Sequence, residues 1–250
     1  GTGKTFTTND SLTFKSTDTE TARTGDFTGN TFLGKVIVER FIPGVKKAWR
    51  FLLVPTKGAQ TIKEAWQEGH AAYSTSLKTT GIQITSNLAN WSSNGFDSYS
   101  NSPCLKTYNS AKDTWDGIAS TPTPFSDNTG GYMIFIRGDR TANSINSTVT
   151  ATTLRTKGAL ITGNQATVVV DAKQFKAVGN PYAAPLDLRH VSQSQNLFYY
   201  VWDPNLGTSY GGYQTLFKNT DGNYVAVPGG GTYSSTSNNL VQSGQAFLVY

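Results

Sequence analysis

Short apolar runs separated by turn-forming residues dominate the hydrophobic pattern of this chain. The runs are rich in β-branched and aromatic residues, and dipeptides such as Asn94-Gly95, Asp116-Gly117, Gly163-Asn164 and Asp221-Gly222 separate them. This arrangement is typical of β-strands joined by tight turns. The pattern predicts an all-β protein, with strands at residues 5–8, 12–15, 21–24, 35–42, 81–85, 105–108, 132–137, 159–162, 167–171, 175–178, 197–202 and 246–250.

Two of the predicted strands are apolar at every position. Residues 132–136 read Tyr-Met-Ile-Phe-Ile, and residues 198–202 read Phe-Tyr-Tyr-Val-Trp. Because alternate side chains of a strand point to opposite faces, such strands need cover on both faces. They predict a jelly-roll-like β-sandwich over residues 43–250. Its start is placed at Pro43-Gly44, a turn-forming dipeptide that ends the preceding predicted strand.

One short helix is predicted inside this β pattern. Thr61 and Glu64 have the spacing of a capping box, and Gly69 is a natural C-terminal stop. The helical period divides the residues between these ends into two faces. The expected buried positions are Ile62, Ala65 and Trp66, and the expected solvent-facing positions are Lys63, Gln67 and Glu68.

The N-terminal part of the chain, up to Ile42, has shorter strands and fewer apolar residues than the rest. Its apolar anchors are Phe6, Leu12, Phe14, Phe27, Phe32 and Leu33. Short strands at intervals of about ten residues fit either the rungs of a β-solenoid or accessory strands of the sandwich. We therefore divide the chain into an N-terminal β segment, residues 1–42, and a β-sandwich domain, residues 43–250.

Composition and charge narrow the class of protein further. The 250 residues are 37% hydrophobic and 15% charged, and no apolar run approaches the roughly 18 residues that a membrane-spanning helix needs. The net charge of +5 is scattered, and the densest basic cluster is Lys46, Lys47 and Arg50. That cluster is too small to follow a nucleic-acid backbone. Neither membrane insertion nor a nucleic-acid partner is predicted.

No motif in the sequence indicates catalysis, a metal ion or a cofactor. Cys104 is the single cysteine, and only His70 and His190 could supply an imidazole. A thiol nucleophile and a cysteine-based metal site are therefore not predicted. The tripeptide Arg137-Gly138-Asp139 directly follows a predicted buried strand, so we interpret it as a strand-ending turn. We predict a protein that is not an enzyme and holds no cofactor.

Aromatic side chains beside polar loops are the candidate ligand-binding residues. Flat rings on a sandwich face can stack on sugar rings while polar neighbours bond the sugar hydroxyls. The alternative is that the rings fill a core, as most aromatic residues of β-sandwiches do. The candidate carbohydrate-binding residues are Trp91, Trp115, Tyr210 and Tyr213.

Several segments, in order along the chain, carry a family resemblance. Residues 34–43, Gly-Lys-Val-Ile-Val-Glu-Arg-Phe-Ile-Pro, followed by Arg50-Phe51-Leu52, resemble a segment of large secreted surface proteins of Bacteroidota, the cargo of the type IX secretion system. The resemblance continues through residues 61–69, 95–97, 132–140, 153–158, 178–182, 198–204 and 242–247. It implies an extracellular or cell-surface location and repetitive β-rich regions upstream, and it brings no catalytic residues.

A shorter resemblance concerns modification of the N-terminal segment. Asp10-Ser11-Leu12 is similar to the site at which proteins of this phylum carry O-linked glycans. An ordinary turn explains the same tripeptide. Ser11 is therefore a candidate O-glycosylation site with a structural alternative.

The sequence supports two hypotheses about function. The first is a non-catalytic structural or adhesive module of a secreted cell-surface protein or extracellular filament, whose partners are other surface-protein domains or copies of itself. The second is a carbohydrate-binding module that holds polysaccharide on exposed aromatic rings. Exposure of the candidate rings on one face distinguishes the two.

Overall fold

The computed structural model describes residues 2–69, 80–125, 130–233 and 238–250. In these residues it contains one α-helix, α1 (Ile62–Trp66), and one 3-10 helix, Leu188–His190. The first ten strands are β1 Thr5–Thr7, β2 Leu12–Phe14, β3 Thr31–Leu33, β4 Lys35–Ile42, β5 Ala48–Leu52, β6 Thr56–Lys57, β7 Thr85–Ser86, β8 Ser98–Tyr99, β9 Leu105–Asn109 and β10 Thr114–Gly117. The remaining strands are β11 Tyr132–Ile136, β12 Thr152–Leu160, β13 Lys176–Gly179, β14 Leu186–Asp187, β15 Tyr199–Asp203, β16 Gly212–Lys218, β17 Tyr224–Val227, β18 Leu240–Val241 and β19 Ala246–Val249.

Most strands belong to three larger sheets. Sheet A has the strand order β2-β4-β12-β6, sheet B has β10-β9-β11-β5, and sheet C has β13-β19-β15-β16-β17. The longest pairing joins β4 and β12, which run antiparallel from Lys35 opposite Ala159 to Ile42 opposite Thr152. The predicted all-β sandwich fold with one short helix is confirmed.

Sheet B is covered on both faces, as its apolar central strand predicts. Every residue of β11 is buried, and its side chains divide between two cores. Ile134 lies in a first core with Leu154 of sheet A and the α1 residue Trp66. Met133 lies in a third core with Phe51 of β5 and Leu248 of sheet C. Sheets A, B and C therefore follow one another with a core on each side of sheet B.

A second core covers the other face of sheet C. It contains Tyr199 and Val201 of β15 together with Leu188 and Val241 from the segments around β14 and β18. The partly buried Tyr200 and Trp202 pack against the third core instead, so the predicted alternation along this strand is confirmed. Phe198 lies just before β15 and is 45% exposed. The expectation that residue 198 belongs to a doubly covered strand is wrong.

The capped helix is confirmed, with one exception among its faces. The Thr61 side chain accepts from the Glu64 N–H, and the Glu64 carboxylate accepts from the Thr61 N–H at 2.8 Å. Ile62, Ala65 and Trp66 are buried as expected. Gln67, predicted to face water, is fully buried because its side-chain amide donates to Gly95 O and to Asp97 Oδ2.

Some predicted strands do not form, and one predicted turn lies within a strand. Residues 167–171 and 21–24 are not strands, although Thr21 makes an isolated bridge with Ser16. Asp116-Gly117 reads as a turn by composition but lies at the end of β10, paired with Thr107 and Lys106 of β9. In each case the available pairing partner decided the outcome, and local composition does not contain that information.

The boundary predicted after Ile42 falls inside a hydrogen-bonded sheet. Strand β4 pairs in parallel with β2 on one side and antiparallel with β12 on the other. Its side chains Val36, Val38 and Ile42 are buried. The strand is thus shared by the N-terminal segment and the sandwich, which are continuous through sheet A.

Candidate interaction surface

The described residues do not gather the side chains that usually mark a metal site. Within them, no group of three or more His, Cys, Asp or Glu residues is placed to hold a metal ion. None of the described helices has the length and apolar character needed to cross a membrane. Cys104 is buried and accepts from the Thr85 N–H at 3.1 Å. His70 lies outside the described residues.

An open cavity of about 680 Å³ lies between β6 and the end of β12. Its wall includes Lys57 and Lys157, together with the apolar side chains of Val54, Phe125 and Leu160. The Gln60 side chain beside it accepts from the Lys157 N–H at 2.6 Å. No carboxylate or imidazole is among the described lining residues. The charged residues of the described lining are therefore two lysines, which lie beside apolar side chains.

Two of the four candidate carbohydrate-binding rings belong to one aromatic cluster. Trp115 and Tyr213 are both partly buried against the third core. Trp115 stands edge-on to Phe51 at 5.0 Å and packs on Tyr108 at 5.2 Å. Tyr213 stands edge-on to Trp202 at 4.9 Å, and burial raises the pKa of its hydroxyl to about 12. The cluster joins β9 and β10 of sheet B to β15 and β16 of sheet C.

The other two candidate rings lie elsewhere. Trp91 packs partly buried against the first core. Tyr210 is 48% exposed and stands edge-on to Phe135 at 5.1 Å, beside a backbone bond from Trp49 N to Tyr210 O. The four predicted rings therefore do not form one flat platform. Trp115 and Tyr213 come together through a contact between sheets, which spacing along the chain does not reveal.

The structure adds aromatic and basic residues that were not among the four predicted binding residues. Trp49, Tyr108 and Trp202 are also partly buried against the third core. The Lys106 ammonium lies 5.1 Å from the centre of the Trp49 ring. Lys106 and Phe51 both stand opposite Met133 in the sheet B register. The period of two along β5 and β9 was the available signal for this shared face.

The structure places Ser11 in an exposed turn. Its hydroxyl donates to Thr8 O at 3.0 Å, and its backbone N–H donates to the same oxygen. The preceding residue, Asp10, has φ +57° and accepts from the Lys35 N–H through its side chain. The tripeptide therefore has a structural role as a turn, and the Ser11 hydroxyl remains at the surface.

The turn connects β1 and β2 within the first of two stacked, parallel rungs. We call residues 5–14 the first rung and residues 31–38 the second rung. Thr5 of β1 pairs with Thr31 of β3, and Leu12 of β2 pairs with Val36 of β4. Both pairings are parallel, and the partners are separated by nearly the same length of chain in each. Such near-equal spacing is the arrangement of consecutive β-solenoid coils.

Side chains also stack from one rung to the next. Phe6 of the first rung lies on Phe32 of the second, with ring centres 5.0 Å apart, and Phe32 contacts Phe27 at 4.6 Å. Thr8 is buried between the rungs, where its hydroxyl donates to Lys35 O at 2.7 Å. The stacked parallel rungs match the solenoid-like alternative for the N-terminal segment, and the pairing of β2 and β4 within sheet A matches the accessory-strand alternative.

Comparisons of the chain with protein-family models, with curated proteins and with solved structures found no match.

Proposed function

We propose that this chain is a non-catalytic structural or adhesive module of a secreted cell-surface protein or extracellular filament. The single observation that supports this most directly is strand β4, which both contributes to the second rung of the solenoid-like segment and is an inner strand of sheet A. A stack of rungs and a sandwich are thereby joined by backbone hydrogen bonds. A flexible linker would not provide such a connection.

This junction suits a protein that carries load between a stalk and a head. Pulling along β4 would load its hydrogen bonds to β12 together, because the strands pair over the whole of β4, from Lys35 to Ile42. The buried side chains Val36 and Val38 hold the same strand against Ala183 from the inner side. Partners under this proposal are other domains of the surface protein or further copies, and the location is extracellular.

Localisation of the native protein tests the proposal. Antibodies raised against this chain should label intact, unpermeabilised source cells or extracellular filaments. Immunoblots of the surface fraction should show the epitope in a chain much heavier than 27.0 kDa. The proposal would be contradicted if the protein lay in the cytosol, protected from protease added to intact cells. A free 27.0 kDa protein in the medium would contradict it as well.

Carbohydrate binding is the second candidate, and it rests on the cluster around the third core. Trp115, Tyr213 and Trp202 are partly buried there rather than enclosed, and Lys106 lies over the Trp49 ring nearby. Partly exposed rings can stack on sugar faces. A lysine ammonium group can donate hydrogen bonds to the hydroxyl or acidic groups of the sugar. A few rings would give weak binding, which many copies on a surface would strengthen.

A pair of tryptophan variants tests the second candidate. Native gels containing soluble polysaccharides should retard the protein, and Trp115→Ala should abolish the retardation while circular dichroism shows an intact fold. Trp91→Ala is the matched control, since Trp91 packs against the first core, away from this cluster. Equal retardation of both variants and the parent protein would exclude the cluster as the binding site.

A further inference from the structure

Two arginine side chains project into the same space between sheets A and B. Arg40 lies on β4 two residues before Ile42, and Arg50 lies on β5 two residues before Leu52. Ile42 and Leu52 both belong to the first core. Because alternate residues of a strand share a face, the guanidinium groups of Arg40 and Arg50 face the space that this core fills.

Arg50 has no polar partner among the described residues. Its guanidinium makes neither a hydrogen bond nor an ion pair with them, and its Nε atom is enclosed by protein. Nearly all buried polar groups in proteins have a hydrogen-bond partner, and a buried charge is costly without one. The residue as a whole keeps partial exposure, so a small solute can reach this side chain.

Arg40 is bonded to a neutral group, which leaves its charge unbalanced. Its Nη1 atom donates to the backbone oxygen of Ser243 at 2.6 Å, and it forms no ion pair with a described carboxylate. Asp203 acts on Arg50 from a longer distance, but its carboxylate already accepts from the N–H and the hydroxyl of Thr232. Two positive charges are thereby set against one carboxylate.

The ionised state of both arginines is disfavoured as a result. Burial lowers the pKa of Arg50 to about 10, the positive charge of Arg40 lowers this pKa as well, and Asp203 opposes both effects. Burial also lowers the pKa of Arg40. An anion beside the two groups would act in the opposite direction, because a nearby opposite charge favours the ionised form.

We infer that Arg40 and Arg50 form a binding site for one small inorganic oxyanion, such as sulfate or phosphate, in the space between sheets A and B. A planar guanidinium donates two parallel hydrogen bonds to an oxyanion, a geometry that a monatomic ion cannot match. The bound anion would supply the negative charge that the described surroundings lack, and it would hold β4 against β5. This site goes beyond the proposed structural function and does not depend on it.

Thermal unfolding in a zwitterionic buffer at neutral pH tests the site. Millimolar sodium sulfate should raise the melting temperature of the parent protein along a saturating curve. At a sulfate concentration a hundred times the dissociation constant, the unfolding equilibrium constant should fall about a hundredfold, which corresponds to a rise of about 5 °C. Sodium chloride at equal ionic strength should have a much smaller effect.

Two arginine variants separate this site from the general effect of sulfate, which stabilises many proteins because it is excluded from their surfaces. Arg50→Met keeps a long side chain without the charge, and it should lose the saturating rise. Arg23→Gln is the matched control, because it removes the same charge from an exposed position. It should keep the rise of the parent protein.

Three results would overturn the inference. The first is an equal sulfate-dependent rise in Arg50→Met and in the parent protein, and the second is an equal effect of chloride and sulfate on the parent. The third is no saturating rise in the parent protein, which would mean that water alone solvates the Arg50 guanidinium.

Nuclear magnetic resonance of the parent protein decides the question if Arg50→Met does not fold. The Nε–H signal of Arg50 should shift along a saturating curve as sulfate is added, whereas the Nε–H signal of Arg23 should not. A shift at Arg50 that is absent, or that matches the shift at Arg23, would contradict the site. None of these results bears on cell-surface localisation, so failure here leaves the proposed function standing.

Discussion

At the scale of single residues, the most completely buried charges are those of Asp97 and Arg140. Both side chains are fully buried, and Arg140 Nη2 donates to Asp97 Oδ1 at 2.7 Å. The carboxylate also accepts from Gln67 Nε2 at 2.8 Å and from Ile84 N at 2.7 Å. Asp97 is thus held by donors of three kinds, and the group ties the C-cap of α1 to two loops and to the segment that follows β11.

Removal of Asp97 should be far more costly than removal of a surface carboxylate. We expect Asp97→Ala to lower the free energy of unfolding by about 3–5 kcal/mol, because it leaves the Arg140 charge buried without a partner. Asp187→Ala is the control: Asp187 pairs with Arg189, whose side chain is 61% exposed, so the loss should stay below about 1 kcal/mol. Denaturant titration measures both. Similar losses would show that burial does not govern the pair.

Buried tyrosines should make the fold sensitive to alkali. Burial raises the pKa of Tyr213 and of Tyr233 to about 12, and it also raises the pKa of Tyr199. Below pH about 10, the ordinary tyrosine value, these groups are neutral in both states and stability is unaffected. Between pH 10 and 12 the unfolded chain releases protons that the folded chain keeps, so stability falls as the pH rises.

Spectroscopic titration checks this dependence. Tyrosinate absorbance and circular dichroism should change together above pH about 10, since ionisation of the buried hydroxyls accompanies unfolding. Tyr213→Phe should reduce the number of protons released in the transition by one. Full ionisation of the tyrosines with the dichroism unchanged would contradict the expected coupling.

At the scale of elements, the approach of sheet B to sheet C depends on one glycine. A Cβ atom at Gly131, just before β11, would lie 2.6 Å from the Phe51 ring and would also contact Ala246 of β19. Neither neighbour can move easily, because Phe51 and Ala246 are both buried in the third core. The absence of a side chain at Gly131 therefore allows the two sheets to pack.

Alanine at two adjacent glycines tests this packing. We expect Gly131→Ala to lower the free energy of unfolding by about 1–3 kcal/mol through overpacking. A Cβ at Gly130 meets no described atom within 4 Å, so Gly130→Ala should change stability by less than about 0.5 kcal/mol. Thermal unfolding of the two variants measures the difference. Equal melting temperatures would mean that the sheets separate at little cost.

At the scale of the whole molecule, β4 decides where the chain can be divided. We expect a protein beginning at Lys35 to fold cooperatively, although with reduced stability because the first rung no longer covers β4. A protein beginning at Pro43 should fail to fold, since it lacks the buried Val36, Val38 and Ile42 and leaves β12 without its main partner. Circular dichroism and protease resistance of the two proteins measure this. A stable protein from Pro43 onward would contradict the shared-strand architecture.

The sequence by itself determined those features that depend on neighbours along the chain. The Thr61–Glu64 capping box, the wholly buried strand β11 and the long strand β4 follow from local spacing, because capping and side-chain alternation act between near neighbours. The all-β class and the solenoid-like alternative for the N-terminal segment were predicted on the same basis. What these patterns leave open is which strand lies beside which.

Only the tertiary structure decided the pairing and the cover of each face. A period of two assigns a side chain to a face but does not name the sheet that covers it. That is why Trp115 and Tyr213 meet while Trp91 lies apart, and why residues 167–171 find no partner strand among the described residues. Gln67 is buried for the same reason: its hydrogen-bond partner Asp97 is distant along the chain and is brought close only by the fold.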